Sequence, residues 1–234
     1  MSLTQEKVPF RRKYWVRLTL FLGCAVTILI GSNVAYQALT TLNQLDAIEA
    51  ERDHWQRPTE VIQALDLKNG DSVVDLGCGS GYFSLRLSDP VGRNGRVIAE
   101  DIRRLSLTFL WMRAVKKGKH NVSVHLGDLD DPHLGSGSIN AVLISNTYHE
   151  FTNARSILDH VRQSMVAGGR LVIIDRSPRG VEDQAGAQQE HEISSEQVAS
   201  DLKQANFVID SRTDRFIESD PENEAWWMIV AHRP

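Results

Sequence analysis

The sequence predicts an α/β fold: a doubly wound, mostly parallel sheet of seven strands with helices between them, behind one apolar N-terminal helix. Three observations predict it. From residue 58 onward, apolar runs of strand length alternate with segments of helical period. A glycine-rich turn follows the first of those runs. Residues 18–45 contain no Asp, Glu, Lys or Arg.

The 234 residues suffice for one sizeable core plus a short appendage. Four segments are expected: a basic flank at 1–17, a transmembrane or signal-anchor helix at 18–39, a linker at 40–57 and a globular domain at 58–234. The net charge of −4 is unevenly spread. Residues 1–17 carry five cations against Glu6, so the remainder stands at −8. An acidic domain is poorly suited to general nucleic-acid binding, which depends on Lys and Arg. No basic, aromatic-interleaved patch stands out beyond the N-terminus, and no nucleic-acid partner is expected. Of the two cysteines, Cys24 lies in the apolar run and Cys78 in the glycine turn, so no disulfide framework is expected.

The apolar run tapers through Val34, Ala35 and Ala38. Taken to Leu39, it is long enough to span a bilayer as a helix. Lys7, Arg11, Arg12, Lys13 and Arg17 flank it on one side with Tyr14 and Trp15 at the boundary, and Asp46, Glu49 and Glu51 follow it. The positive-inside rule puts the N-terminus in the cytoplasm and the domain on the other side. Two other readings stay open. One is a cleaved signal peptide, against which no small-x-small cleavage site stands out near residues 34–38. The other is a buried helix of the soluble fold, which the uncharged surface all round argues against.

Polar residues 46–58 lead to Pro58, which suits the first turn of a helix through Val61, Ile62 and Leu65. His54 and Trp55 precede it, read as a solvated His and a packed Trp. A turn at 68–71 then opens the first strand, Val73 and Val74 running into Asp75. Gly77, Gly79 and Gly81 follow at alternate positions, with Cys78 between the first two, and an apolar-periodic segment starts at Tyr82. This spacing is not the Gly-x-Gly-x-x-Gly of a dinucleotide fold. It is not a phosphate-binding P-loop either, since no Lys or Arg follows until Arg86.

Asp-Leu-Gly-Cys-Gly-Ser-Gly, residues 75–81, resembles the first motif of the class I S-adenosylmethionine-dependent methyltransferases. The resemblance runs from about residue 66 to the C-terminus. It includes ubiquinone- and menaquinone-type enzymes, without residues that identify a quinone. It implies a Rossmann-like seven-stranded sheet whose last strand is antiparallel. It also implies S-adenosyl-L-methionine as cofactor, held by Asp75, Gly77, Cys78, Gly79, Gly81, Asp101, Asp128, Leu129 and Asn146.

The next helix covers residues 81–88, ended by Pro90 and the glycines after it. Residues 96–101 form the second strand. The family places an acid at its end to accept from both ribose hydroxyls, and Asp101 fits best, with Glu100 next. A helix at 105–117 and a third strand at 121–126 precede Asp128, the acid implied near the adenine amino group, and Leu129, which packs on the ring. Plain capping and turn roles for Asp101 and Asp128 stay open. Residues 139–145 are the fourth strand, where Asn140 replaces the family's usual Asp, keeping the shape but losing the charge. A helix at 153–166, a Gly-Gly turn with a fifth strand at 168–175, a helix at 193–205 and two final strands complete the chain. Residues 176–189 read as a mobile loop; His191 beyond it, between Glu190 and Glu192, is either a surface His with acidic neighbours or one that reaches the acceptor pocket.

Catalysis is expected just past the fourth strand, where the family faces the methyl group and the acceptor. His149 has the intrinsic pKa of a base at neutral pH, and Tyr148 and Glu150 can position it or the substrate. The alternative is a strand-end His with a solvated acid beside it. No metal is expected, since Asn153 stands where a His-Glu-x-x-His site needs its second His. The resulting expectation is a methyltransferase for a small or lipid-like acceptor. The alternatives are an inactive cofactor-binding module and an NAD-dependent oxidoreductase.

Overall fold

Helix α1 runs without a break from Phe10 to Trp55 (Phe10–Trp55). The computed structural model describes residues 10–178 and 192–234, without the side chains of 10–14 and 16. The loop expected at 176–189 and His191 therefore fall largely outside the described residues. Residues 40–57, read as a linker, are helical up to Trp55. They contain no Gly or Pro before Pro58 and are rich in Leu, Ala, Gln and Glu, which are good helix formers. The chain divides into two compact units, Met1–Ala47 and Ile48–Pro234. In the first, α1 is long and apolar enough to cross a membrane.

The second unit holds the last residues of α1 and then α2 (Pro58–Ala64), β1 (Ser72–Leu76), α3 (Tyr82–Val91) and β2 (Arg96–Asp101). After these come α4 (Arg104–Lys116), β3 (Val122–Leu126), β4 (Ile139–Ser145) and a 3-10 turn at Tyr148–Glu150. The chain ends with α5 (Ala154–Ser164), β5 (Met165–Arg176), α6 (Ser195–Gln204), β6 (Val208–Ile217) and β7 (Trp226–His232). The seven strands form one sheet in the order β3-β2-β1-β4-β5-β7-β6. Strands β1 to β5 pair in parallel, and β7 runs antiparallel to both its neighbours. The strand order reverses beside β1, which puts the crevice between β1 and β4 at a topological switch point.

Alternate residues of each strand feed two cores, because successive side chains point to opposite faces. Val74, Leu76, Val142 and Ile144 pack under α5 and α6 with Ile157, Val161 and Leu202. Val73, Val97, Leu143 and Val172 pack on the other side with Val61, Phe83, Leu87 and Val91. Adjacent Trp226 and Trp227 divide between the two clusters, and both are buried. Each such side chain contributes about 1.5–3 kcal/mol on burial.

Two boundaries differ from the sequence expectation. Helix α3 runs through Pro90 and stops only at Gly92 (φ 66°), where a left-handed backbone suits glycine. Strand β5 begins at Met165, before the Gly-Gly turn, because Met165 pairs with Ile139 across a register shift in β4. Asn140 lies at the start of β4, and its Oδ1 accepts the Ser72 N–H at 2.9 Å. A neutral amide oxygen is all that bond requires, at the sheet edge opposite the strands' C-terminal ends.

Candidate active site

The C-terminal ends of β1, β2, β3 and β4 converge on a groove with two stretches that share Gly77, Arg103, Thr147 and Glu150. In the first, Leu76, Ile102, Leu129, Phe151 and Ile157 make the apolar walls, and Glu100, Asp101 and Asp128 the acidic side. The second lies between Asp75, Cys78, Gly79 and Ser80 on one side and Ser145 and Asn146 on the other, with Arg52 and Tyr82 at its end.

The three loop glycines do different things. All have positive φ, at 72° for Gly77, 54° for Gly79 and 94° for Gly81. A Cβ on Gly77 would meet the Thr147 side chain at 2.2 Å, and one on Gly81 would meet Leu110 at 2.1 Å. A Cβ on Gly79 would meet nothing within 4 Å. Gly77 and Gly81 thus answer to packing, and Gly81 does not line the groove. Gly79 alone keeps space open for a ligand. Asparagine tolerates the left-handed region. Gly79→Asn is therefore expected to leave the melting temperature near wild type while abolishing ligand binding. Gly81→Asn is expected to cost about 1–3 kcal/mol through overpacking against Leu110. Thermal melts with and without ligand check both.

Of the cofactor residues read from the sequence, all except Gly81 lie on the groove wall. Asp101 accepts the Gly79 N–H at 2.8 Å and the Arg103 N–H at 2.7 Å, tying the glycine loop to the end of β2. Asp128 accepts from His133 Nε2 at 2.8 Å, and Leu129 is exposed on the rim. Asn146, with φ 53°, holds Arg176 Nε through its Oδ1 at 3.1 Å.

The catalytic trio separates. Glu150 lines both stretches and is half-exposed. Tyr148 is buried against Phe151 and donates to Asp201 at 3.0 Å, so it belongs to the core and not to the groove wall. Burial pushes its hydroxyl pKa up. His149 is also buried and off the groove wall. Its Nδ1 meets buried Asp175 at 2.8 Å, and its Nε2 lies 3.9 Å from Glu150. Tyr148 and His149, expected to face the acceptor, are thus not in the lining of these two stretches. A strand end rich in apolar contacts draws the aromatic Tyr148 inward and turns Glu150 out.

Sequence reasoning also missed a latch from α1. Buried Arg113 of α4 grips Glu49 with two bonds of 2.6 Å and donates to the Ser80 carbonyl of the glycine loop at 2.6 Å. Tyr82 donates to Asp53 at 2.8 Å, and Arg86 holds both Asp53 oxygens at 2.8 Å. The Arg52 and Arg86 guanidiniums lie 4.0 Å and 4.1 Å from the Tyr82 ring centre. Arg52 thereby reaches the groove, whereas no residue of α2 lines it. His54 is exposed, and Trp55 packs on Trp226 at 5.6 Å, as expected. Ion pairs 33 and 64 residues apart carry no spacing signal. Ile102 and Thr147 were findable, each being next to a residue already singled out.

Two buried carboxyls carry raised pKa values. Burial lifts Asp75 from 3.8 to about 6, against the hydrogen bond from Ser84. Burial lifts Glu100 from 4.5 to about 7, against the Gly77 N–H and with help from Asp101 and Asp75. The folded state therefore binds more protons than the unfolded chain. Stability is expected to fall as pH rises from 3.8–4.5 through about 7. Melting temperature against pH measures this, and Glu100→Gln should flatten the fall.

A family model described as a methyltransferase domain matches residues 67–226, well over half of the chain. The chain belongs to the class I S-adenosylmethionine-dependent methyltransferases. The demethylmenaquinone methyltransferase of Lactococcus lactis is 24% identical over 135 residues, which is 58% of this chain and 54% of that one. Nocamycin O-methyltransferase of Saccharothrix syringae is 27% identical over 111 residues, 47% and 40% of the two chains. The chain spans about half the length of the curated relatives it matches. A solved S-adenosylmethionine-dependent methyltransferase from Aquifex aeolicus has a TM-score of 0.68 at 20% identity, over 82% of this chain and 98% of that one.

The groove of this methyltransferase domain fits its cofactor. Its walls carry five carboxylates, two Arg and no Lys, which suits a sulfonium cation and ribose hydroxyls better than a pyrophosphate. Ser145 Oγ is buried on the wall without a hydrogen-bond partner, an atom that a ligand can satisfy.

Proposed function

We propose that this domain transfers a methyl group to a small or lipid-like acceptor, and that the groove at the C-terminal ends of β1–β4 is where it does so. The observation that carries the reading is the open space at Gly79 inside an acid-lined groove with an apolar slot at one end. S-adenosylmethionine supplies an electrophilic methyl group; the acceptor forms the new bond to carbon as the bond to sulfur breaks, leaving the neutral thioether.

Asp101, with Glu100 beside it, accepts the ribose hydroxyls. Asp128 faces the adenine amino group, and Ile102 and Leu129 cover the ring. Asp75, Gly77, Cys78, Gly79 and Asn146 border the amino-acid end. Holding acceptor and methyl in line accounts for much of the rate in such a displacement. Glu150 takes the acceptor's proton or orients its hydroxyl. His149, fixed by Asp175, stands behind Glu150 as a positioning residue, and Tyr148 holds the turn that carries both.

The apolar part of α1 anchors the domain in a membrane, which favours a hydrophobic or membrane-associated acceptor. The charge rule places the domain outside the cytoplasm, whereas the cofactor is made in the cytosol; a reporter fused to the C-terminus decides between the two sides.

The test uses the full chain in lipid vesicles with cofactor labelled in the methyl group and a lipid extract as acceptor source. Label entering the organic phase, lost in Glu150→Gln and retained at a shifted pH optimum in His149→Asn, supports the reading. Cofactor binding without transfer to any lipid or small-molecule fraction leaves the inactive module in its place.

A further inference from the structure

Helix α4 has a face that the fold leaves uncovered. Leu107, Leu110 and Ala114 are buried beside β2 and β3. On the other side Leu105, Trp111 and Val115 are 69%, 57% and 60% exposed, and Ile102 just before the helix is 47% exposed. With Thr108 these residues are spaced three or four apart, so they form a single row along the helix and not scattered apolar spots.

Residues 102–127 contain six Lys or Arg and no Asp or Glu, in a domain that is otherwise acidic. Of the six, Arg113 is buried on Glu49, Arg103 meets Asp101 and Lys119 meets Asp89. Arg104, Lys116 and Lys117 are exposed. This is a basic, aromatic-bearing patch beyond the N-terminus, contrary to the sequence reading, which missed it because its cations are spread along a helix.

We infer that α4 rests on an anionic bilayer surface, with Leu105, Trp111 and Val115 in the headgroup boundary and Arg104, Lys116 and Lys117 among the phosphates. Trp is at home at that depth, with an apolar ring and one polar N–H. Basic side chains bordering an apolar helical face are the composition of an interfacial helix. The same chain carries a helix long and apolar enough to cross a membrane; anchored as proposed above, that helix keeps the domain near one. A nucleic-acid surface would use the cations and leave the apolar row wet. The row begins at Ile102, which also lines the groove, so the docked face borders the cofactor site. The inference does not depend on the reaction catalysed.

The test is fluorescence quenching of the full chain in vesicles of phosphatidylcholine, with or without one-third phosphatidylglycerol, whose acyl chains carry shallow bromines. The difference between wild type and Trp111→Phe isolates Trp111. Both variants should melt alike, because Trp111 is on the surface. The Trp111 signal is expected to be quenched in the anionic vesicles. Each of Arg104→Gln, Lys116→Gln and Lys117→Gln should weaken the docked state about five-fold. A Trp111 signal indifferent to bromolipid overturns the inference. Concentration-dependent cross-linking through Val115→Cys in place of quenching would assign the face to a second copy, and a Trp111 response to duplex DNA but not to lipid would assign it to nucleic acid.

Discussion

Alanine at Glu49 is expected to cost the domain about 3–5 kcal/mol, because it leaves Arg113 charged and fully buried without its carboxylate. The loss has a second component, since Arg113 also holds the Ser80 carbonyl of the glycine loop. Cofactor affinity should therefore fall with stability, and the fall should persist at temperatures where the variant is still folded. Chemical denaturation gives the first quantity, and titration well below the melting point gives the second. A Glu49→Ala, Arg113→Met double variant tests the cause. Replacing both charges with apolar volume should recover most of the stability. It should leave a deficit of about 1–3 kcal/mol from the unpaired Ser80 carbonyl. Equal losses in the single and double variants would mean that the pair is not what holds this end of α1 to the domain.

Alanine at Asp101 is expected to weaken S-adenosylmethionine about ten- to a hundred-fold, the worth of hydrogen bonds from neutral hydroxyls to a carboxylate, about 1.5–3 kcal/mol. Asp101 is buried and also accepts the Gly79 and Arg103 N–H groups. Those two N–H groups meet different carboxylate oxygens, so asparagine can keep only one of them, and the separation of loop geometry from ribose contact comes from the ligand. If Asp101 only shapes the loop, Asp101→Ala weakens an analogue lacking the ribose hydroxyls as much as the cofactor. If it binds the ribose, the deficit disappears for that analogue.

Most of the fold was legible because its signals are local. A β-branched pair before Asp75, alternate glycines and a Gly-Gly turn each mark a boundary within a few residues of chain. The groove's acids were legible once the strands were placed, since each lies at or just past the end of its strand. What was not legible depends on side chains meeting across long stretches of sequence. Glu49 finds Arg113, Asp53 finds Arg86, and His149 finds Asp175, and no pattern in the sequence announces any of these pairs. The same limit explains the split of the catalytic trio. Three consecutive polar residues past a strand look equivalent, and only the packing of Tyr148 against Phe151 and the Asp175 partner of His149 decide that Glu150 faces the groove. The 40–57 segment reads as a linker by its polar composition, while the Leu, Ala, Gln and Glu within it suit the helix that runs to Trp55.

The central claim is that the groove binds S-adenosylmethionine through its acidic walls and the open position at Gly79. Calorimetric titration of S-adenosylmethionine, S-adenosylhomocysteine and NAD into the full chain tests it most directly, with Gly79→Asn as the matched control. The predicted result is micromolar-range binding of both adenosyl-sulfur ligands, none of NAD, and no binding of any of the three to a folded Gly79→Asn protein. A well-folded wild-type protein that binds neither adenosyl-sulfur ligand, or that binds NAD in their place, would contradict it.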